Sequence, residues 1–154
     1  MPEAENKTIA RRFNDEVWDK GDESALEELF AEDAVDHGAI PGQPPGREGH
    51  KYQVNLFRSA FPDLHVTTED IFSEGDRVAY RWTGRGTHRG ELLGIAPTGN
   101  EVTFKGIDVL RMAGGKVVER WSEYNALEAM QQMGVLPPPE EQSEEGNPPK
   151  RLNF

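Results

Sequence analysis

The chain has 154 residues, the length of one ordinary domain, and its 28 acidic and 17 basic side chains give a net charge of -11. This negative charge argues against binding to nucleic acid or anionic membranes, because both depend on clustered Lys and Arg that contact phosphate. The absence of cysteine excludes thiolate nucleophiles, disulfides and thiolate metal ligands. No signal sequence opens the chain, and no apolar run approaches the ~20 residues that span a bilayer, so we expect a cytoplasmic protein without membrane contacts.

The first third of the sequence predicts helices. Apolar residues recur every four positions within the segment 6–20, which is typical of one buried helix face. Asp22 or Ser24 can cap a second short helix that ends near Glu32. After a loop rich in Gly and Pro, apolar residues again repeat at helical spacing, and Pro62 ends this third helix.

The pattern then changes to the alternation of β-strands. Strands are predicted over residues 64–72 and 77–83, joined by a turn at Gly75, and over residues 101–112 and 116–124, which form a long hairpin. Glycines scattered between these pairs suggest bulges or bends that curve the sheet.

A short helix over residues 126–133 completes the predicted domain, which comprises residues 1–136. Helices followed by a run of strands indicate an α+β fold, in which the N-terminal helices cover a curved antiparallel sheet. We expect a cone-shaped barrel around a central apolar cavity suited to a small molecule. Residues 137–154 are rich in Pro and Glu and are predicted to form a flexible tail.

Asp108 is the most informative polar residue. It is the one polar side chain on the more apolar face of the strand that runs from Val102 to Met112. A carboxylate on an apolar face is costly to ionise, and such groups often serve as general acids or bases. Alternatively, Asp108 pairs with a buried Arg, caps a backbone group, or lies on an exposed strand face.

The register of the last hairpin determines which side chains accompany Asp108. With Gly114 and Gly115 as a two-residue loop, Asp108 faces Trp121, and Glu123 shares the cavity face. A one-residue bulge would instead turn inward the other set of side chains, namely Arg120, Ser122 and Tyr124. Both registers remain open, and Glu123 could also be a solvated edge residue.

The histidines do not have the spacing of metal ligands. Asp36, His37 and His88 could supply a site of one carboxylate and two histidines, but no sequence feature brings them together, so we predict no metal. His37 and His88 lie in segments expected at the rim of the cone and are candidate pocket donors. The aromatic residues at helical or strand spacing are predicted to form core or cavity wall; they include Phe57, Phe61, Trp82 and Phe104.

Several segments, in order and spacing, resemble the SnoaL-like polyketide cyclase group of the NTF2-like superfamily, and especially its ester cyclases. They are RFNDEVWDKGD, VDHG, PGQPPGREGH, AFPDLH, RWTGRGTHRGELLGIAPTG, FKGIDVLRMAGGKVVERW and LEAMQQMG. The resemblance implies a cone-shaped α+β barrel, commonly a homodimer through the sheet. It also implies acid–base catalysis without a cofactor, in which a polyketide ester closes a ring by intramolecular aldol condensation.

The same resemblance implies polar pocket positions at Asp36, Gln53 and Asp108. The essential aspartate of the family corresponds to Ser122, or to Glu123 if the alignment gap moves by one residue. Ser122 cannot replace a carboxylate base, so Asp108 or Glu123 has taken over that role, or the chain retains the scaffold without that reaction.

The chemistry implied is proton removal from carbon next to a carbonyl, on a small apolar molecule. Asp108 and Glu123 are the candidate acid–base residues, and His88, Tyr124 or His37 could stabilise the enolate oxygen. A module that binds a small molecule without turnover is the competing hypothesis, and an oligomerisation domain with a filled cone is a third.

Overall fold

The computed structural model describes residues 3–137. The elements follow in the order α1, a π-helix, α2, β1, α3, β2 to β5 and α4; their bounds are α1 Glu3–Arg12, π-helix Phe13–Trp18, α2 Glu23–Leu29, β1 Phe30–Asp36, α3 Arg47–Ala60, β2 His65–Glu74, β3 Arg77–Thr87, β4 Glu101–Ala113, β5 Lys116–Tyr124 and α4 Ala126–Met133. The predicted α+β fold, with helices over a curved sheet, is confirmed. From residue 138 onward the predicted tail lies outside the described residues.

The helices begin and end at recognisable signals. The Asp22 carboxylate accepts the backbone N–H groups of Ser24 and Ala25, so Asp22 is the cap of α2. The helix α3 ends at Ala60, two residues before Pro62, as the sequence predicts. The first helix continues beyond α1 as a π-helix, a form that the periodicity did not predict.

The strand β1 corrects the prediction for the end of α2. This helix stops at Leu29, and the chain turns extended at Phe30, so the expected continuation to Glu32 is wrong. β1 pairs in parallel with β5, and the sheet is therefore mixed instead of wholly antiparallel. The physical reason is burial, because Phe30 and Ala34 are fully buried beneath the helices while the acidic residues between them stay at the surface.

The sheet has the strand order β1-β5-β4-β3-β2. Tyr80 on β3, Asp108 on β4 and Ser122 on β5 lie opposite one another in register. Between Arg111 and Met112 the pairing with β5 shifts, so Val118 is an extra residue in that strand. The hairpin therefore contains both the tight Gly114–Gly115 turn and a bulge.

The core lies between the helices and the concave face of the sheet. One apolar cluster joins α1, α2 and the middle of the sheet, and a second joins the end of α3 to β4 and α4. Both buried clusters contact Trp18 and Trp82, which are partly buried between them. Within residues 3–137, no helix combines the length and apolarity needed to cross a membrane.

Candidate active site

A cavity of about 70 Å³ opens between the helices and the sheet, at the junction of the two core clusters. This volume is enough for more than a single water. Its walls are mainly apolar, and its lining residues are Asn14, Trp18, Gly38, Gln53, Phe57, Leu64, Val66, Trp82, Gly84, Phe104, Asp108, Arg120, Ser122 and Tyr124. The predicted central cavity is therefore present.

Asp108 carries the negative charge in the cavity wall, and four donors surround its carboxylate. Oδ1 accepts the Ser122 hydroxyl at 2.6 Å and the Trp82 indole N–H at 3.0 Å. Oδ2 accepts the Tyr80 hydroxyl at 3.1 Å and the Arg120 Nε–H at 3.0 Å. The pairing with a buried Arg, which was one of the alternatives from the sequence, is thus realised, and the donors compensate the ionised carboxylate for burial.

Arg120 links Asp108 to a second buried carboxylate. Its Nη1 donates to Asp36 at 3.3 Å and to the Gln53 carbonyl oxygen at 2.6 Å. Burial would lower the pKa of the Arg120 guanidinium, but the charges of Asp108 and Asp36 outweigh this effect and the pKa is raised. Arg120 is therefore a permanent cation held between two carboxylates.

Asp36 anchors the far side of this network. It accepts the Gly38 N–H and the Gln43 side-chain amide, both at 2.8 Å. Burial favours its neutral form, but the charge of Arg120 and the Gln43 hydrogen bond lower its pKa. His50, 3.9 Å away, has a pKa lowered to about 4 by burial and by Arg120, so its ring is neutral at pH 7.

The π-helix brings two further residues to the cavity. Asn14 and Trp18 are four positions apart and both line it. The Asn14 amide donates to the Thr68 hydroxyl at 3.0 Å, which fixes its orientation. Single π-turns inside α-helices occur frequently at functional sites, where they re-aim side chains.

Seven of the residues proposed from the sequence line the cavity; they are Gln53, Phe57, Trp82, Phe104, Asp108, Ser122 and Tyr124. Asp36 lies behind Arg120 and not in the wall. Phe61 packs in the core beneath the cavity, stacked on His88 at 5.4 Å. His88 is fully buried there and bonds Thr98, so it is not a rim residue.

The remaining candidates, Glu123 and His37, lie outside the cavity. Because Asp108 faces Ser122, the inward side chains are those of the bulged register, and Glu123 pairs with Ile107 and is exposed on the outer face of the sheet. His37 also lies outside, where it stacks on Trp121 at 4.9 Å and donates to Glu119. The structure brings neither Glu123 nor His37 to the cavity.

Arg120 and Asn14 are polar members of the site that the sequence analysis did not identify. In the sequence analysis, Arg120 is only one of the side chains that a bulge would turn inward; the available signal is a basic residue two positions before Ser122, on the strand that pairs with the strand of Asp108. Asn14 lies outside the predicted apolar stripe, on the π-helix that the periodicity did not predict. Among residues 3–137, no three His, Cys, Asp or Glu side chains converge as ligands for one metal ion.

Two comparisons relate the chain to known proteins, one by its sequence and one by its fold. The sequence model of the SnoaL-like polyketide cyclase family matches residues 8–133. A proposed polyketide cyclase from Bacillus cereus is 32% identical, with a TM-score of 0.75 over 86% of this chain and 82% of its own. IdmH, a proposed polyketide cyclase from Streptomyces antibioticus, is 33% identical, with a TM-score of 0.72 over 84% of this chain and 99% of its own.

A further relative has a different description. AclR, a proposed hydroxylase from Streptomyces galilaeus, is 29% identical, with a TM-score of 0.80 over 94% of this chain and 90% of its own. No functionally curated protein matches the sequence. The match of the family model over most of the chain shows that this protein belongs to the SnoaL-like polyketide cyclase family.

Proposed function

We propose that the protein is a cofactor-independent acid–base catalyst of the SnoaL type, acting on a small apolar carbonyl compound in the cavity by aldol-type cyclisation or isomerisation. The observation that carries the proposal is the Asp108 carboxylate in a mainly apolar cavity wall, held in place by donors from the two neighbouring strands. A fixed base beside apolar walls suits the removal of a proton from carbon.

The proposed step begins with a carbonyl compound bound against Asp108. An oxygen of the carboxylate takes the proton from the carbon next to the carbonyl, and the electron pair of the C–H bond forms an enolate. For cyclisation, the enolate carbon attacks a second carbonyl of the same molecule, and Asp108 returns its proton to the resulting alkoxide. Ser122 and Trp82 hold Oδ1 throughout, which keeps the base in one orientation.

Asp108 lies next to Ser122, the position at which the family resemblance implies a carboxylate. Ser122 Oγ lies 2.6 Å from Asp108 Oδ1, so the base we propose is one hydrogen bond away from the implied position, on the neighbouring strand. Tyr124 adds a donor: burial raises its pKa, which keeps the phenol neutral.

Deuterium exchange tests this function without knowledge of the natural substrate. Acetophenone and 1-tetralone are incubated with the protein in D₂O, and NMR follows both their binding and deuterium incorporation next to the carbonyl. We expect exchange above the buffer rate, a loss of about 10²-fold or more in Asp108→Asn, and no change in the exposed control Glu123→Gln. A ketone that binds in the cavity without accelerated exchange would contradict the proposal.

The alternative is a module that binds a small molecule without turnover. The observation that favours it is the saturation of Asp108: four protein donors already occupy both oxygens, as in a purely structural carboxylate. In the same NMR experiment, this alternative predicts bound ketone with unchanged isotopic composition in the wild type and in Asp108→Asn.

We also propose that two copies associate through the outer face of the sheet. A row of apolar side chains crosses it in register, from Phe72 through Ala79 and Val109 to Trp121. Phe72 is 67% exposed, and Ile107, two residues before Val109 on β4, is 55% exposed, which is unusual for large apolar residues. Sedimentation at micromolar concentration should show a dimer that Ile107→Lys converts to monomer; a monomeric wild type would refute the interface.

A further inference from the structure

One nitrogen of the Arg120 guanidinium has no hydrogen-bond partner among residues 3–137. Nε donates to Asp108, and Nη1 donates to Asp36 and Gln53, but Nη2 makes no such contact. The buried side-chain atoms left unpaired in the described residues lie elsewhere; they are Asn6 Oδ1, Arg47 Nε, His50 Nε2, Ser73 Oγ and His88 Nε2. Arg120 lines the cavity and its Nη2 is not among these buried atoms, so the free N–H groups can reach the open space.

This guanidinium is held rigidly. Asp108, Asp36 and Gln53 fix three of its N–H groups, and its Cζ lies 5.7 Å from the centre of the Phe13 ring and 5.9 Å from that of Trp18. A donor that is fixed before the reaction needs no reorganisation when charge develops beside it. The remaining N–H groups can therefore serve a ligand oxygen in one defined orientation.

We propose that Arg120 Nη2 is the donor that binds the carbonyl oxygen of the substrate and stabilises the enolate, a catalytic role for Arg120 that rests on the proposed function. When Asp108 takes the proton from carbon, one carboxylate beside the guanidinium becomes neutral and one enolate oxygen becomes negative. The cation thus faces two negative groups before and after the step, and negative charge only moves from one side of Arg120 to another.

This assignment differs from the donors that the sequence suggested. His37 lies on the outer face and His88 is buried below the cavity, so neither can reach a ligand there. Tyr124 lines the cavity and remains a second donor. A guanidinium N–H forms a stronger hydrogen bond to an oxyanion than a neutral phenol does, because the donor is charged.

The test uses 4-nitrophenol as a mimic of the enolate oxygen and 4-nitroanisole as its neutral control. Asp108→Asn represents the state in which the base has accepted its proton, and phenolate binding is read from the absorbance of the ionised form. We expect this variant to bind nitrophenolate in preference to nitroanisole. Adding Arg120→Lys, which keeps a cation beside Asp36, should weaken phenolate binding about tenfold or more and leave nitroanisole binding unchanged.

If Arg120→Lys weakens the binding of nitrophenolate and of nitroanisole equally, Arg120 has a structural role and the proposal is overturned. The proposal is also overturned if nitrophenolate binding is reduced by Tyr124→Phe and not by Arg120→Lys. If the lysine variant does not fold, ¹⁵N NMR of Asp108→Asn alone replaces it: the Arg120 Nη2 resonance should shift with nitrophenolate and not with nitroanisole. Phenolate binding that depends on Arg120, in a protein without ketone exchange, would support the oxyanion site while refuting the proposed reaction.

Discussion

Replacing Arg120 by methionine tests the electrostatics of the buried network most directly. The substitution keeps much of the side-chain volume but leaves Asp36 and Asp108, whose side chains are 4% and 2% exposed, without their shared cation. Removing one partner of a buried ion pair costs about 3–5 kcal/mol, a large part of a typical free energy of unfolding of about 5–15 kcal/mol. At about 2–4 °C per kcal/mol, we expect Tm to fall by about 6–20 °C.

The pH dependence of this loss is equally specific. In the wild type, the charge of Arg120 overcomes burial and lowers the pKa of Asp36, so its contribution to stability is present at neutral pH and lost on acidification. Without Arg120, burial is opposed mainly by the Gln43 and Gly38 hydrogen bonds, so the pKa of Asp36 is higher than in the wild type and less of this contribution to stability remains at neutral pH. The difference in the free energy of unfolding between the two proteins should therefore be largest near pH 7 and shrink toward pH 4.

Urea unfolding followed by circular dichroism, at several pH values, measures both quantities. The triple variant Asp36→Asn, Asp108→Asn and Arg120→Met is the matched control, because it removes the cation together with both buried anions and should recover most of the lost stability. A loss below about 1 kcal/mol at pH 7, or a loss that stays constant with pH, would refute the electrostatic reasoning.

Two further predictions concern single residues. The pKa of His50 is lowered to about 4 in the folded protein, against about 6.5 when unfolded, so the free energy of unfolding should fall by about 3 kcal/mol between pH 6.5 and 4. In urea unfolding, His50→Gln should remove most of this dependence on pH; an unchanged profile would contradict this. A Cβ at Gly106 would lie 2.5 Å from Trp82 Cζ2, so Gly106→Ala should cost about 1–3 kcal/mol, while Gly84→Ala, whose nearest contact is 3.6 Å, is the tolerated control. Equal stability of the two alanine variants in urea would disprove that explanation.

The fold was largely predictable, because its helices and long strands have strong periodicity and clear end signals. Strand β1 was not, since the segment Phe30–Asp36 is short and its three acidic residues interrupt the apolar ones, and only its parallel pairing with β5 makes it a strand. Local sequence carries little information about a pairing between segments so far apart. The same limitation explains why the mixed character of the sheet emerged only from the structure.

The central residue of the candidate site and much of its aromatic wall were predictable, but the choice of its neighbours on β5 was not. Asp108 stands out from the alternation of β4, but the side chains opposite it depend on a single bulged residue, Val118. The local sequence Lys116–Val117–Val118–Glu119 contains no glycine or other signal that fixes a bulge there. The burial of Arg120 and the exposure of Glu123 both follow from that one position.

The parallel contact between β1 and β5 also has a consequence for how the protein folds. Arg120 meets Asp36 across 84 positions of the chain and Gln53 across 67, whereas its bond to Asp108 closes a hairpin of only 12. Contacts between distant segments carry a larger loop-closure entropy and form late. We expect the hairpin to form first, and the charged residues to remain hydrated until β1 docks. Substitutions at Asp36 should then accelerate unfolding while leaving the folding rate nearly unchanged.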